Sequence, residues 1–469
     1  MTFPHQNVKG LIIAGTQSDI GKTSVTLGLM RLLTRRGLNV SPFKVGPDYI
    51  DPGHHSRACG RPSYNLDSVM CPPKYVRNLF SEVSRKSDIA IAEGVMGLFD
   101  GASPIKDKGS TAEIAKLTGL PIILIFNGEA TARSAAALVQ GFVNFDPALN
   151  FLGVIANRVN HPGHANIIKA AIEKYTTTKF LGYLPNNPEL TLPSRHLGLF
   201  QSHEQQDSLY DKWADHLEQH FNIPKILKSI NASKKKPIRE ILNPVPRWTG
   251  KQAKKTFKVA VARDEAFAFC YQDTLDVISH YGGEIHFFSP IKDRQLPKNC
   301  DWVYLPGGYP ELHLKKLSEN KAMIQCIRDF GNSGKVIVGE CGGLMYLGKS
   351  ILDEKNHSFP MVGLFDFSTT MNPKKLTLGY RILSFKQKKE IKKDFLMKGH
   401  EFHYSSFVNN NETPRMQYLN GKKNVEVKDG YVYKNCFAFY SHIYMGSSTE
   451  WLKYILNKVE SSSIKEPNL

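Results

Sequence analysis

The sequence has little of what membrane, secreted and nucleic-acid-binding proteins need. No uninterrupted apolar run approaches bilayer length, and no apolar core with a small-residue cleavage site follows the polar first ten residues. None of the seven cysteines forms a CxxC pair, and an odd, scattered set argues against a disulfide framework. We therefore expect a soluble, cytoplasmic protein from a reducing compartment.

Acidic residues are also in short supply. Lys and Arg number 61 against 43 Asp and Glu, which gives a net charge of +18. Such an excess suits nucleic acid, an acidic surface or a polyanionic small substrate. The basic residues are spread along the chain, and local clusters such as 234–236 resemble solvated linkers and lack interleaved aromatic residues. We expect no nucleic-acid or membrane partner.

The hydrophobic pattern predicts two α/β domains. From Gly10, a short apolar run (11–14), a Gly-containing turn, a helical stretch (22–36) and a second apolar run (39–43) form a βαβ opening. Further buried-strand candidates alternate with helical stretches; they are 89–92, 122–126 and 151–156. Alternation of this kind predicts a doubly wound, mostly parallel sheet.

A change in composition predicts the domain boundary. Residues 224–256 are rich in Lys, Pro, Asn and Ser, which is poor material for a core. Short buried strands resume after it, at 258–261, 302–305 and 336–338. We predict an N-terminal domain (1–223), a basic linker (224–256), a second α/β domain (257–450) and a C-terminal tail (451–469) with a frayed, polar end.

A phosphate-binding loop follows the first strand. Residues 15–24 read GTQSDIGKTS and lead into a helix, so backbone N–H groups would point at phosphates. Lys22 would meet the β and γ phosphates, and the Thr23 hydroxyl would bind Mg²⁺. Thr16 replaces the first glycine of the standard pattern, and the alternative is an ordinary turn with a chance GKT. The predicted ATP-binding residues are Thr16, Gly21, Lys22, Thr23 and Ser24.

Two later segments end predicted strands with charged residues. Residues 43–52 read FKVGPDYIDP and carry Lys44, Asp48 and Asp51, whereas residues 89–101 read IAIAEGVMGLFDG and carry Glu93 and Asp100. Ligands of parallel sheets bind at such carboxyl ends, and phosphoryl transfer needs carboxylates to hold a metal. The alternative is that the aspartates cap a turn and Glu93 pairs with a surface lysine. The roles of His54 and His55 stay open.

The second domain contains a predicted cysteine nucleophile. In VIVGECGGLMYL (336–347) an apolar strand runs into Cys341, flanked by small residues and followed by a helix whose N-terminus favours a thiolate. Gly307 and Gly308 in LPGGYPEL (305–312) could form an oxyanion hole. His442 in YSHIYMG is the candidate base, and His400 and His403 in GHEFHYSS compete with it.

Two alternatives accompany this site. Cys341 could be a buried structural cysteine, which is the usual state of a free cysteine. The HEFH sequence (400–403) hints at a metalloprotease, but it has one residue too few between its histidines. We therefore expect no metal site in that segment.

Together these motifs resemble one family, the cobyrinate a,c-diamide synthases, with their hydrogenobyrinate and nickel-sirohydrochlorin counterparts. GTxSxxGKTS, FKVGPDYIDP, EGVMGLFDG, PGGYPEL, GECGGLMYLG, GHEFHYS and SHIYMG occur in the family's order over nearly the whole chain. The resemblance implies a dethiobiotin synthetase-like P-loop domain followed by a class I-like glutamine amidotransferase domain.

The resemblance also implies roles for residues. Thr23, Asp48 and Glu93 match the Mg²⁺ and ATP set, and the substrate and activation set comprises Lys44, Tyr49, Ile50, Asp51 and Asp100. Cys341 matches the glutaminase nucleophile and His442 its base. Tyr444 stands where wider class I glutaminases have a carboxylate, so a Cys-His dyad is expected.

The activity implied is amidation of the a and c acetates of cobyrinate, with ATP and glutamine as the other substrates. Hydrogenobyrinate and nickel-sirohydrochlorin are alternative substrates, and a homodimer is plausible for the family. A partition-type ATPase switch would share the phosphate loop, but it would typically carry a second lysine early in that loop, and residues 16–20 contain none.

Overall fold

The chain forms two compact units. The computed structural model describes residues 9–190, 194–195, 198–199, 207–232, 247–248, 256–385, 395–420 and 425–463. Unit 1 is Met1–Arg247 and unit 2 is Trp248–Leu469. The predicted linker (224–256) lies largely outside the described residues, but its first part is helical, because a helix spans Ile223–Ala232.

Unit 1 is built on a seven-stranded parallel sheet. The strands are β1 (Gly10–Gly15), β2 (Val40–Val45), β3 (Tyr64–Leu66), β4 (Ile89–Glu93), β5 (Ile122–Asn127), β6 (Phe151–Asn157) and β7 (Phe180–Leu184). Their order is β3-β2-β4-β1-β5-β6-β7, and every neighbouring pair is parallel. Strands β2 to β4 lie on one side of β1, and β5 to β7 lie on the other. This arrangement puts the first loop at the switch point of a doubly wound sheet.

Helices connect successive strands of this sheet, and two further helices follow its last strand in the chain. They are α1 (Lys22–Arg35), α2 (Asp51–Cys59), α3 (Pro73–Ser84), α4 (Thr111–Thr118), α5 (Ser134–Phe145), α6 (Pro162–Tyr175), α7 (Asp207–His220) and α8 (Ile223–Ala232). A 3₁₀ turn spans Pro188–Leu190, and β8 (Ser194–Arg195) pairs antiparallel with β9 (Gly198–Leu199).

Helix α7 is fastened to α1. Trp213 and Leu217 are buried in the core beside α1. Two guanidinium nitrogens of Arg31, Nε and Nη2, donate to the carboxylate of Asp211 at 2.8 and 3.0 Å. Arg35 pairs with Asp215 at 2.7 Å. Because α1 begins at the phosphate loop, α7 forms a fixed wall beside that loop.

Unit 2 contains a six-stranded, mostly parallel sheet. Its strands are β10 (Phe257–Ala262), β11 (Gly283–Phe288), β12 (Trp302–Leu305), β13 (Val336–Glu340), β22 (Tyr431–Tyr433) and β23 (Cys436–Phe439), in the order β11-β10-β12-β13-β23-β22. The β22–β23 pair is antiparallel and the others are parallel. The fold class is therefore the one predicted, two α/β units with parallel sheets.

Two antiparallel-rich sheets extend unit 2 beyond the predicted strands. One contains β14 (Ser350–Leu352), β15 (Ser358–Pro360), β16 (Ser368–Thr370) and β19 (Ser406–Val408). The other contains β17 (Thr377–Phe385), β18 (Phe395–His403), β20 (Met416–Asn420), β21 (Val425–Asp429) and β24 (His442–Ile443). Strand β18 carries the HEFH sequence and pairs with β24.

The helices of unit 2 are α9 (Gln272–His280), α10 (Leu314–Glu319), α11 (Lys321–Asn332), α12 (Gly342–Leu347) and α13 (Thr449–Ser463), with a 3₁₀ turn at Pro310–Leu312. Helix α13 differs from the predicted tail (451–469), because Trp451, Leu452 and Ile455 are fully buried. Within the described residues, no helix is long and apolar enough to cross a membrane.

Candidate active sites

The phosphate loop of unit 1 joins β1 to α1. Gly21 caps the helix at a φ of 90°, and a Cβ there would lie 2.4 Å from Nδ2 of Asn157. Asn157, at the end of β6, donates a 2.7 Å bond to the carbonyl of Ile20. The loop therefore needs glycine at this position, and the neighbouring strand holds it in place.

Lys22 bridges the loop. Its Nζ donates to the carbonyl of Gln17 at 2.8 Å, so the ammonium lies across the mouth of the turn. Burial and the nearby charge of Lys44 lower the pKa of Lys22 to about 8. An anion bound in the loop would favour the charged form of the lysine.

A buried cluster of charges lies next to the loop, centred on Glu93. The carboxylate accepts bonds from the Thr23 hydroxyl (2.6 Å), Nζ of Lys44 (2.8 Å) and the ring of His55 (2.7 Å). Lys44 also pairs with Asp51. Because these residues come from α1, α2, β2 and β4, the sheet brings distant sequence segments to one point.

The protonation states follow from charge balance. Burial opposes the charge on each group, yet Asp51 and Glu93 raise the pKa of Lys44, and Lys44 and His55 lower that of Glu93. For Asp51, burial and the neighbouring carboxylates raise the pKa well above its usual value. The ionised form is therefore favoured for Glu93 and disfavoured for Asp51.

The other predicted residues lie around this cluster. Oδ1 of Asp48 accepts the N–H groups of Ile50 and Asp51 at 2.8 and 3.1 Å, which is the capping alternative considered above. Tyr49 and Ile50 are half-buried in that turn. Asp100 accepts the N–H of Gly97 at 2.9 Å rather than bonding to the cluster.

Asp100 still lies near the phosphate loop. The N–H of Leu98 donates to Gly15 at 2.8 Å, so the loop that carries Asp100 packs on the end of β1. His54 instead bonds to the Tyr210 hydroxyl of α7 at 2.8 Å, which gives it a packing role distinct from that of His55.

The side-chain oxygens of Thr23 and Glu93 are the candidate ligands for Mg²⁺. Within the described residues, no group of three His, Cys, Asp or Glu side chains could hold a metal ion alone. Mg²⁺ typically takes one or two protein oxygens and completes its shell with phosphates and water. Thr23 and Glu93 supply such a pair beside the phosphate loop, so the residues fit Mg²⁺ that arrives with a nucleotide.

A cavity of about 350 Å³ adjoins Lys22, Thr23 and Ser24. Its far wall consists of residues that the sequence analysis did not identify: Asn157, Arg158, Leu184, Pro185, Asn186, Asn187, Leu190, Trp213, His216 and Leu217. Most of them follow β6 and β7, and the carboxyl ends of strands beside a phosphate loop are the signal that could have indicated them. No comparable sequence pattern indicates the residues that α7 contributes to this wall, which are Trp213, His216 and Leu217.

In unit 2, Cys341 occupies a strained turn between β13 and α12. Its φ and ψ are 49° and −101°, outside the regions that residues with a Cβ usually adopt. A Cβ on Gly343 would lie 2.1 Å from the carbonyl of Leu305, so the turn has room only for glycine there. The thiol lies 3.7 Å from the carbonyl of Phe402. This geometry matches the predicted nucleophile elbow.

The sequence pattern favours a thiolate at Cys341, but the surroundings of the sulfur favour the protonated thiol. Burial raises the pKa of Cys341 well above its usual value, and the carboxylates of Glu311 and Glu401 raise it further. The N–H of Gly342 acts in the opposite direction, but its effect is smaller. The helix N-terminus is therefore outweighed, and Cys341 is protonated at neutral pH in the unliganded structure.

His442 and the two predicted oxyanion glycines are close neighbours. A Cβ on Gly307 would lie 2.0 Å from Cε1 of His442, so the imidazole packs directly on that glycine. A Cβ on Gly342 would lie 3.1 Å from the N–H nitrogen of Gly308, which brings the glycine loop beside the residue after Cys341. Burial lowers the pKa of His442 to about 3, aided by His400 and His403, so the ring is neutral at neutral pH and is a weaker base than a free imidazole.

His403 has other partners. Its ring nitrogens lie 2.8 Å from Oε1 of Glu401 and 2.9 Å from the carbonyl of Ser405, and the ring stacks on Tyr440 at 3.9 Å. A histidine with both nitrogens engaged is less suited to act as a base, which favours His442 over His403.

Glu340, which the sequence analysis did not single out, holds the segment around His442. It accepts the Tyr304 hydroxyl at 2.9 Å and the N–H of Ile443 at 3.3 Å, and burial raises its pKa to about 8. Tyr444, where class I glutaminases have an acid, is fully buried against Tyr271.

Comparisons with known proteins agree with this division. Residues 11–200 match the family model described as the CobQ/CobB/MinD/ParA nucleotide binding domain, and residues 258–450 match that of the CobB/CobQ-like glutamine amidotransferase domain. A Thermotoga maritima PurLQS structure aligns with 43% of this chain at a TM-score of 0.33 and 14% identity, which is too low to define a shared fold.

Full-length relatives share both regions. A cobyrinate a,c-diamide synthase of Listeria monocytogenes is 40% identical over 458 residues, covering 96% of this chain and 99% of the relative. The Salmonella typhimurium enzyme of the same name is 40% identical over 453 residues, covering 95% of this chain and 97% of the relative. A Methanococcus maripaludis enzyme is 39% identical, covering 92% and 98%.

Proposed function

Because the chain belongs to the cobyrinate a,c-diamide synthase family, we propose that it converts the a and c acetate groups of cobyrinate to amides, using ATP and glutamine. The observation that carries the proposal is the presence in one chain of a phosphate loop with a buried Glu93 cluster and a cysteine elbow beside His442. Hydrogenobyrinate and nickel-sirohydrochlorin remain alternative substrates of the same chemistry.

The first reaction would release ammonia from glutamine at unit 2. Since Cys341 is protonated at rest and His442 is neutral, His442 accepts the thiol proton as sulfur attacks the carboxamide carbon. The backbone N–H groups of Gly308 and Gly342 stabilise the oxyanion. His442 returns the proton to the departing ammonia, and water then hydrolyses the thioester to glutamate.

The second reaction would activate the acetate at unit 1. The γ-phosphoryl group of ATP passes to a carboxylate oxygen, giving an acyl phosphate and ADP, and ammonia displaces phosphate to leave the amide. Lys22 and the loop N–H groups bind the phosphates, and Lys44 balances charge beside them. Mg²⁺, when bound at Thr23 and Glu93, would neutralise charge on the β and γ phosphates.

Other predicted residues have supporting roles in this scheme. The cavity beside Lys22 would receive the nucleoside, because its lining follows the strands next to the loop. Among the residues that the structure describes, Oδ1 of Asp51 is buried without a hydrogen-bond partner, so it can accept a donor from the substrate side. Asp48, Tyr49, Ile50 and Asp100 border the same region. A cytoplasmic homodimer remains an expectation that light scattering with purified protein can measure.

The test is ATP- and glutamine-dependent amidation followed by mass spectrometry, with cobyrinate, hydrogenobyrinate and nickel-sirohydrochlorin offered separately. We expect two successive amidations of one substrate, each lowering its mass by the difference between a hydroxyl and an amino group. Folded enzyme that hydrolyses glutamine and binds ATP but amidates none of the three would contradict the substrate assignment.

Gly307→Ala should selectively impair the glutaminase. The added Cβ would overlap the His442 ring, which is buried and must shift away from its position. We expect glutamine-dependent amidation to fall about 100-fold, with ammonia-dependent amidation retained. Gly141→Ala is the control, because a Cβ there meets no atom of the described part of the chain within 4 Å. Equal activity of both variants with glutamine would contradict the assigned position of His442.

The pKa of Lys22 predicts how ATP binding depends on pH. A lysine with a pKa lowered to about 8 is charged below that pH and neutral above it, and the ATP phosphates favour the charged form. The affinity for ATP should therefore be constant below about pH 7 and fall by up to tenfold per pH unit above about pH 8. Calorimetric titration with a non-hydrolysable ATP analogue measures this, and Lys22→Met should bind weakly without the same pH dependence.

A further inference from the structure

Glu311 is a carboxylate beside Cys341 that the proposed mechanism does not use. It lies in the 3₁₀ turn Pro310–Leu312, shortly after Gly308. Pro310 packs against Gly342, since a Cβ on that glycine would lie 2.9 Å from Cδ of Pro310. Because Gly342 directly follows Cys341, the turn that carries Glu311 borders the nucleophile.

The charge of Glu311 acts on the thiol. After burial, its carboxylate is the largest cause of the raised pKa of Cys341, ahead of Glu401 and of the adjacent Glu340. Burial raises the pKa of Glu311 itself to about 7, and the charge of Lys374 opposes this rise. The residue as a whole is nevertheless partly exposed.

Neighbouring carboxylates already have partners. Glu401 pairs with Arg381 and with His403, and Glu340 accepts the hydroxyl of Tyr304. Within the described parts of the chain, Glu311 makes no ion pair. A partly buried carboxylate without an ion pair, beside a nucleophile, is an available site for a cation.

Glutamine supplies such a cation. Its carboxamide must reach Cys341, and its α-ammonium is carried on the same short chain. On the basis of the proposed glutaminase function, we propose that Glu311 binds the α-ammonium of glutamine and thereby selects glutamine over amides that lack an amino group. A bound ammonium would also offset the negative charge that hinders deprotonation of Cys341, so the thiol is activated when glutamine is present.

The experiment compares two ligands on three variants. Glutamine hydrolysis gives kcat/KM, and glutaramate, which is glutamine without its α-amino group, gives an inhibition constant whether or not it is hydrolysed. For Glu311→Gln we expect kcat/KM for glutamine to fall about 10- to 100-fold, as for loss of a hydrogen bond between charged groups, with glutaramate inhibition changed less than about twofold. Glu311→Asp keeps the charge and should recover part of the loss.

The control is Glu319→Gln, an exposed residue of α10 that pairs only loosely with Lys315, at 3.9 Å. Parallel losses for glutamine and glutaramate would overturn the inference, because they would indicate a structural role, and so would wild-type behaviour of Glu311→Gln. If Glu311→Gln melts at a lower temperature, the Asp variant decides, since only a charge-dependent role restores discrimination. Wild-type enzyme that hydrolyses no glutamine would instead contradict the proposed function.

Discussion

Replacing Cys341 by alanine should abolish the use of glutamine but spare the use of free ammonia. The thiol is the only atom proposed to bond covalently to glutamine, so its removal should lower glutamine-dependent amidation at least about 10³-fold. Unit 1 would be unaffected, since its carboxylate activation needs only ATP and ammonia. Mass spectrometry of the tetrapyrrole product, with glutamine or ammonium chloride as the nitrogen source, measures both activities.

Cys326→Ala is the matched control for that variant. Cys326 lies on helix α11 of the same unit, is partly exposed and has no proposed role. It should behave as wild type with both nitrogen sources. Glutamine-dependent amidation that survives in Cys341→Ala would mean that another group attacks glutamine, whereas loss of ammonia-dependent amidation would mean that the substitution disturbs more than the thiol.

Replacing Glu93 by glutamine should abolish amidation with either nitrogen source but spare the hydrolysis of glutamine. The carboxylate accepts bonds from Thr23, Lys44 and His55, and the amide nitrogen of glutamine cannot accept any of them. Lys44 would then keep Asp51 and the carbonyl of Gly94 as buried partners, and breaking a buried charge pair costs about 3–5 kcal/mol. We expect amidation with either nitrogen source to fall at least about 10³-fold, while glutamine hydrolysis at Cys341 continues.

Glu218→Gln makes the same chemical change at the surface. Glu218 pairs with Arg36 at 2.6 Å but is half exposed, so its loss should change stability by less than about 1 kcal/mol. Circular dichroism of both variants shows whether unit 1 is folded. Folded Glu93→Gln with near-normal ammonia-dependent amidation would remove Glu93 from the proposed site.

The sequence predicted those parts of the fold that local pattern determines. Strands β1, β4 and β13 appear in the sequence as apolar runs because both of their faces are buried, and their predicted limits agree with the structure to within a few residues. Strands β3, β7, β11, β22 and β23 of the same sheets were missed. Strands β17 and β18 were missed. Polar and charged residues interrupt their apolar positions, Arg381 and Ser384 in β17 and Lys398, His400 and His403 in β18, so no long apolar run marks them.

The geometry of the site could be predicted where all the residues that determine it lie in one short motif. The strained turn at Cys341 follows from the glycines around it, whereas the bond from His55 to Glu93 joins residues 38 positions apart and depends on how α2 packs. Asp48 was expected with the metal ligands, but in the unliganded turn it caps Ile50 and Asp51. The motif at Cys341 indicates a helix N-terminus, which favours a thiolate, but it does not reveal desolvation, which raises the pKa of that thiol.

The protonated state of Cys341 also affects how the protein withstands oxidants. Peroxide reacts with thiolates far faster than with thiols, and oxidation beyond the sulfenic acid is irreversible for most enzymes. Cys341 is only 3% exposed, and burial together with nearby carboxylates keeps its proton in place. The environment that keeps the thiol protonated would therefore also slow its reaction with oxidants.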